Sequence, residues 1–237
     1  MKQPILSTYL ISDTALTLSF DLPISDEAHN IVMQAALVIK ELTGNEYCDI
    51  VPAYTSLTIY FSDASKLSTT IETIKKEITK KITTGFFFSE HNRKDKTQKE
   101  DIIQIPVCYE QPLATDIEEV IHHLQLTSKE IIQLHTSSIY KVYMNGFVPG
   151  FSYMGALNPS LHLPRKKTPS PKVAAGSVAI AAAQTGIYPF ESAGGWYIIG
   201  RTPLTMFNKK RNPVCLLQPG QQVQFYSISS QEYNNWR

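Results

Sequence analysis

Along the first half of the chain the apolar positions alternate between two periods, two residues and about 3.6 residues. Tyr9-Leu10-Ile11 and Ala15-Leu16-Thr17-Leu18-Ser19-Phe20 read as two strands, and Ser12-Asp13 between them suits a tight turn. Ser25-Asp26-Glu27 then offers a helix N-cap followed by early acids. Ala28, Ile31, Val32, Ala35, Val38, Ile39 and Leu42 form one helical stripe, with Gly44 as the stop. A strand pair follows around Ile50-Val51 and Leu57–Phe61. Leu67, Ile71, Ile74, Ile78 and Ile82 predict a second helix ending before Gly85. Two helices on a small, mainly antiparallel sheet is the simplest assembly, and a ferredoxin-like α/β sandwich is its expected layout.

The pattern breaks at residues 89–100, which carry no apolar side chain and read as a linker or exposed loop. This places an N-terminal domain over residues 1–96 and a second over 97–237. After a strand at Ile102–Val107, Thr115-Asp116-Ile117-Glu118 and Thr127-Ser128-Lys129-Glu130 both fit the capping box and predict two short helices. The first presents Ile117, Val120, Ile121 and Leu124; the second presents Ile131, Leu134 and His135. From residue 139 the pattern becomes short β runs broken by Gly and Pro: Tyr140–Tyr143, Ser177–Ala182, Trp196–Ile199 and Gln222–Ile228. A compact β-barrel or sandwich with attached helices is expected, so the fold class is α+β. No internal repeat is visible.

Composition narrows the function. The formal net charge of +1 gives no global field to recruit nucleic acid or a membrane surface. Cys48, Cys108 and Cys215 form no CxxC pair, which argues against a zinc or redox motif and fits a reducing, cytoplasmic setting. Neither a signal-peptide core nor a run of about 18 apolar residues is present. The phosphate loop, the HExxH helix, the GxSxG elbow and the GxGxxG spacing are all missing, so a P-loop type of ATPase is not expected. Adjacent His122 and His123 cannot share a helix face as metal ligands and read as surface histidines.

Residues 145–203 stand apart. They hold Gly146, Gly150, Gly155, Gly176, Gly186, Gly194, Gly195 and Gly200, eight of the chain's 11 glycines. Such clustering marks either the tight corners of a barrel or places where a ligand approaches backbone. Polar groups able to hold a small acid lie in the same stretch. Arg165 and Arg201 can each grip a carboxylate bidentately. Lys166, Lys167 and Lys172 surround a Pro-rich run, and the first two read as surface charges. Gln184 can read an amide edge, with Thr185 beside it. Glu191 is a candidate base. His135 would transfer protons if it faced a pocket, and is otherwise a structural histidine.

The run Gly146-Phe147-Val148-Pro149-Gly150-Phe151-Ser152-Tyr153 resembles a signature of the family formed by the B component of bacterial 5-oxoprolinase (PxpB). That family includes the kinase inhibitor KipI and is related to allophanate hydrolase subunit 1 and urea carboxylase carboxyltransferase modules. Leu163-Pro164-Arg165, Ala175-Gly176-Ser177-Val178, Gln184-Thr185-Gly186-Ile187-Tyr188-Pro189, Gly194-Gly195-Trp196 and Ile199-Gly200-Arg201-Thr202-Pro203 continue the resemblance. Upstream, Val51–Leu57 and Leu134-His135-Thr136 extend it over nearly the whole chain. Ser170 stands where members usually carry arginine, and Lys172 is the candidate to replace that charge. Ala179, Ala182 and Ala193 also depart from the usual pattern.

The resemblance implies a cyclophilin-like barrel in the second domain. It also implies joint action with the A and C components of the 5-oxoprolinase complex, which together open the 5-oxoproline lactam to glutamate. ATP with magnesium would be consumed by the whole complex, with no covalently bound cofactor. On this reading Glu191, His135 and Tyr188 are the catalytic candidates. Arg165, Lys172, Gln184, Thr185, Arg201, Gly150, Gly176, Ser177 and Gly195 are the substrate-binding ones. A KipI-like inhibitor of a histidine kinase and a carboxyltransferase partner for urea-type amides are the competing readings.

Overall fold

The structure is a computed structural model that describes residues 5–44, 47–88 and 102–236. The chain divides into two compact units, Met1–Lys99 and Glu100–Arg237. The linker expected at residues 89–100 lies outside the described residues.

In the first unit, strands β1 (Leu6–Ser12) and β2 (Ala15–Phe20) precede helix α1 (Asp26–Thr43). Strands β3 (Tyr47–Pro52) and β4 (Ser56–Phe61) and helix α2 (Ala64–Thr83) follow. The sheet order is β1-β2-β4-β3, antiparallel throughout. Period-two alternation puts Leu16, Leu18 and Phe20 of β2 and Leu57, Ile59 and Phe61 of β4 on one face. That face meets Ile31, Val32, Ala35 and Ile39 of α1 and Leu67, Ile74, Ile78 and Ile82 of α2. The caps are those the side chains dictate: Ser25 Oγ accepts from Ala28 N–H at 3.1 Å, and Asp63 accepts from Lys66 N–H at 3.1 Å. Leu42, placed on the buried stripe by periodicity, is 40% exposed. It lies in the last turn of α1, where the stripe has rotated off the core. The element order is ββαββα. A ferredoxin-like layout runs βαββαβ, with an edge strand last; here the strand beside β2 comes first, as β1.

The second unit opens with β5 (Ile103–Cys108), α3 (Ile117–Leu124), α4 (Ser128–Thr136), β6 (Ile139–Asn145) and β7 (Ser152–Gly155). It continues with β8 (Ser170–Val173), β9 (Ser177–Ala181), β10 (Gln184–Ile187), β11 (Ser192–Gly194), β12 (Tyr197–Arg201), β13 (Gln222–Ile228) and a short α5 (Ser230–Asn234). Seven strands close a barrel in the order β10-β7-β6-β13-β5-β12-β9, and β8 pairs with β11 in a separate ribbon. The barrel closes through a parallel pair, β5 with β13, running from Val223↔Ile103 to Ile228↔Cys108.

All seven strands contribute to one cluster, which therefore fills the barrel interior. It includes Ile105, Tyr140, Val142, Met154, Val178, Ile180, Ile187, Ile199 and Phe225. Alternate residues of the same strands face outward. Ala179, Ala181 and Ile198 pack there under Phe151, Val173, Tyr188 and Trp196.

Of the two predicted capping boxes, only the second forms: Thr127 and Glu130 cap α4 reciprocally. At α3 the N-cap is Asp116, with no side-chain cap bond. Its carboxylate is used instead by Ile198 N–H at 2.8 Å and Lys166 Nζ at 2.7 Å. No helix among the described residues is long and apolar enough to cross a membrane.

Candidate functional site

The glycine-rich motif builds the outer wall of the barrel. Gly146 N–H bonds Phe151 O and Phe151 N–H bonds Val148 O, both at 3.1 Å, so residues 146–151 fold back into β7. Gly186 on β10 lies opposite Tyr153 on β7. A Cβ at Gly186 would lie 2.8 Å from Phe151 Cζ, so the bare backbone lets that ring lie against the sheet. Phe151 then contacts Tyr188 at 5.0 Å and Trp196 at 5.5 Å between centroids, both edge to face. Tyr153 meets Trp196 at 5.7 Å. Phe147, with φ 67°, holds its ring 62% exposed at the rim. Burial raises the phenol pKa of both Tyr153 and Tyr188, while the positive charge of Arg165 acts on both in the opposite direction.

Register tells which predicted residues share this wall. Arg201 on β12 lies opposite Ser177 on β9, and Gln184 lies opposite Ala181. Ser177, Ala179 and Ala181 alternate with the inward Val178 and Ile180, so Ser177, Gln184 and Arg201 belong to the outer face. Gly176 precedes them with φ +78°. A Cβ there would run into the Thr202 carbonyl oxygen and lie 3.3 Å from Arg201 Cγ. Gly150, also at positive φ, is pressed by Phe207 and Pro189, whereas Gly195 has only Pro169 and Lys166 O near 4 Å. The first two glycines are thus explained by chain packing; Gly195 has room to spare.

Lys172 and Glu191 pair at 3.1 Å across the β8–β11 ribbon, with side chains 72% and 56% exposed. Solvent screens such a pair. Lys172→Ala is expected to change unfolding stability by less than about 0.5 kcal/mol in a denaturant titration. A larger loss would give the pair a structural role. Lys166, read from the sequence as a surface charge, is instead 14% exposed and ties Asp116 to the wall. Its partner lies fifty positions away, and no local pattern could have revealed it. Lys166 Nζ also lies 3.5 Å from Ser170 Oγ.

His135 is not at this wall. It sits fully buried in the barrel interior. Nδ1 is 2.7 Å from Tyr109 Oη and Nε2 is 2.9 Å from Thr185 Oγ1. Thr185 donates its only hydroxyl proton to Ala179 O at 3.0 Å, so it must accept from Nε2–H. Nδ1 therefore accepts from Tyr109. Phe225 stacks on the ring at 4.5 Å. Burial drives the imidazole pKa down to about 3. Both ring nitrogens are committed, so the proton-transfer role expected for His135 is corrected to a structural one. Thr185 is likewise an interior anchor rather than a binding group. The three catalytic candidates are not gathered: His135 is inside, Tyr188 is buried under the wall's aromatics, and Glu191 is in solvent.

Residues 6–217 match the family model of the carboxyltransferase domain, subdomain C and D. The B component of the Bacillus subtilis 5-oxoprolinase is 36% identical over 234 residues, covering 96% of this chain and 95% of that one. The chain belongs to the family of 5-oxoprolinase B components. The Escherichia coli O157:H7 member of the family is 31% identical across 92% of this chain and 94% of its own length. Among solved structures, TTHA0988 matches with a TM-score of 0.72 and 30% identity, covering 92% of this chain but only 40% of that longer one. The Kluyveromyces lactis urea amidolyase shares the fold at a TM-score of 0.72 and 15% identity.

Proposed function

We propose that this chain is the B component of an ATP-dependent 5-oxoprolinase, acting with the A and C components to open the lactam to glutamate. The observation that carries this reading is the end-to-end match to a 5-oxoprolinase B component, 96% of this chain against 95% of that one. A cytoplasmic, obligate-complex protein without independent turnover fits it. On the same reading the barrel is cyclophilin-like, and the first unit is a ferredoxin-like sandwich whose last edge strand has moved to the front.

The substrate presents one carboxylate and one ring amide. Of the two arginine candidates, Arg201 lies on the barrel wall and Arg165 in the loop before β8, and either could hold the first; Gln184, on the same wall, is the amide reader for the second. Holding both ends fixes the lactam against the backbone-rich wall. Water attack on a resonance-stabilised amide needs this orientation together with stabilisation of the developing oxyanion. Glu191 is a solvent-accessible carboxylate at the β8–β11 ribbon, where it pairs with Lys172. No group of three His, Cys, Asp or Glu side chains suited to a metal ion occurs among the described residues. ATP with magnesium is assigned to the complex as a whole.

The test is reconstitution of the three components and measurement of 5-oxoproline-dependent ADP release. Omitting this chain is expected to cut the rate at least tenfold. An undiminished rate would overturn the proposal in favour of kinase inhibition or amide carboxylation.

A further inference from the structure

The second unit handles its internal cations in a consistent way. Lys166 is held by Asp116 at 2.7 Å. Arg211 donates to four backbone carbonyls, those of Thr205, Met206, Pro213 and Val214, at 2.9–3.2 Å. Arg201 breaks this pattern. It is half-buried, and its Nε is shielded from solvent yet has no hydrogen-bond partner. Among the described residues no carboxylate, carbonyl or hydroxyl bonds any part of its guanidinium. Its two cross-strand neighbours, Ser177 on β9 and Cys108 on β5, are buried and uncharged. Glu110, two residues beyond Cys108, is engaged with the Ser230 hydroxyl and forms no ion pair with Arg201.

A guanidinium partly removed from water with an unmet donor is costly unless an anion completes it. Its five N–H donors form a fork that matches a carboxylate edge. The surroundings are small and neutral, which suits one negative charge better than the higher charge of a phosphate. Gly176 packs directly against this strand: a Cβ there would run into the Thr202 carbonyl oxygen and lie 3.3 Å from Arg201 Cγ, so its backbone abuts the stem of Arg201. Arg165 is the contrasting case. It is exposed, where water already solvates its charge, and its field acts on the phenols of Tyr153 and Tyr188.

We infer that Arg201, between Ser177 and Cys108 on the outer wall, is the subsite for the carboxylate of a small monoanionic acid, and that Arg165 is not. The assignment deepens the oxoprolinase reading and rests on it for the identity of the acid, though not for the anion site itself.

Arg201→Met keeps the aliphatic stem and removes the charge. In the reconstituted complex it is expected to raise KM for 5-oxoproline at least tenfold, with a smaller change in kcat. Arg201→Lys is expected to fall between. The isolated Arg201→Met chain is expected to melt no lower than the unmodified chain, because no internal partner is lost. A KM within twofold of the unmodified complex overturns the assignment, as does a clear fall in melting temperature. If the unmodified complex does not turn over 5-oxoproline, the functional proposal fails, and the subsite is then decided by melting temperature alone. 5-Oxoproline and acetate are expected to raise the melting temperature of the unmodified chain but not of Arg201→Met, while uncharged 2-pyrrolidinone raises neither. Equal shifts in the two chains would remove the subsite.

Discussion

His135→Ala is expected to destabilise the protein by about 3–5 kcal/mol, a loss typical of emptying a large buried site and orphaning a hydroxyl. The ring is fully buried and stacks on Phe225 at 4.5 Å. Its removal leaves Tyr109 Oη without the acceptor it now has at 2.7 Å. Thr185 keeps its bond to Ala179 O but loses its donor. A second signature separates this from a generic core defect. The folded-state pKa of about 3 lies below the ordinary 6.5. As pH falls below 6.5, the unfolded chain takes up a proton that the folded chain refuses. Stability therefore drops by about 1.4 kcal/mol per pH unit until the folded pKa is reached. Above pH 6.5 the group contributes no slope. Denaturant midpoints at pH 7.5 and 5.5 should show the unmodified chain losing more than the alanine variant, so the gap between them narrows on acidification. A constant gap would mean that the imidazole is not held neutral.

The second large effect is expected at Gly176. Alanine there must adopt φ near the present +78° and places its methyl against the Thr202 carbonyl oxygen, which is backbone and cannot swing aside. The left-handed conformation costs about 1–2 kcal/mol and the overpacking about 1–3 more. The expected total is about 3 kcal/mol, read as a shift in denaturant midpoint. Gly176 N–H bonds Tyr188 O at 2.7 Å and Gly176 O accepts from Thr202 N–H at 2.9 Å, so relief of the clash moves the backbone that carries Arg201. A variant within about 0.5 kcal/mol of the unmodified protein would show that the loop relaxes freely.

These two residues also mark how far the sequence could be read. Local signals were legible. Ser25 and Gly44 bracket α1, Thr127 and Glu130 cap α4, and the alternation in 15–20 and 222–228 marks β2 and β13. Strands β7, β8, β10 and β11 were not separable, because each is only three or four residues long and interrupted by glycine or proline. The Thr115–Glu118 box failed because tertiary partners, Ile198 N–H and Lys166, compete for Asp116. His135 lies one helical turn from Ile131 on an apolar face, a position compatible with either a pocket or a core. Only Tyr109 and Thr185, 26 and 50 positions away, decide the matter. The glycines of 145–203 were conspicuous, yet at Gly150, Gly176 and Gly186 the space they leave is occupied by the chain itself.

The parallel seam between β5 and β13 bears on the order in which the protein can assemble during synthesis. The barrel's first strand is complete at Cys108 but cannot close against its partner until Ile228 has left the ribosome. The first unit needs nothing beyond about residue 88 for its own sheet and helices, so it can form while the barrel strands are still emerging. A chain arrested after β12 and before residue 222 would carry a folded first unit and an unclosed barrel. Its β5 and β6 edges would be unpaired and open to aggregation or proteolysis.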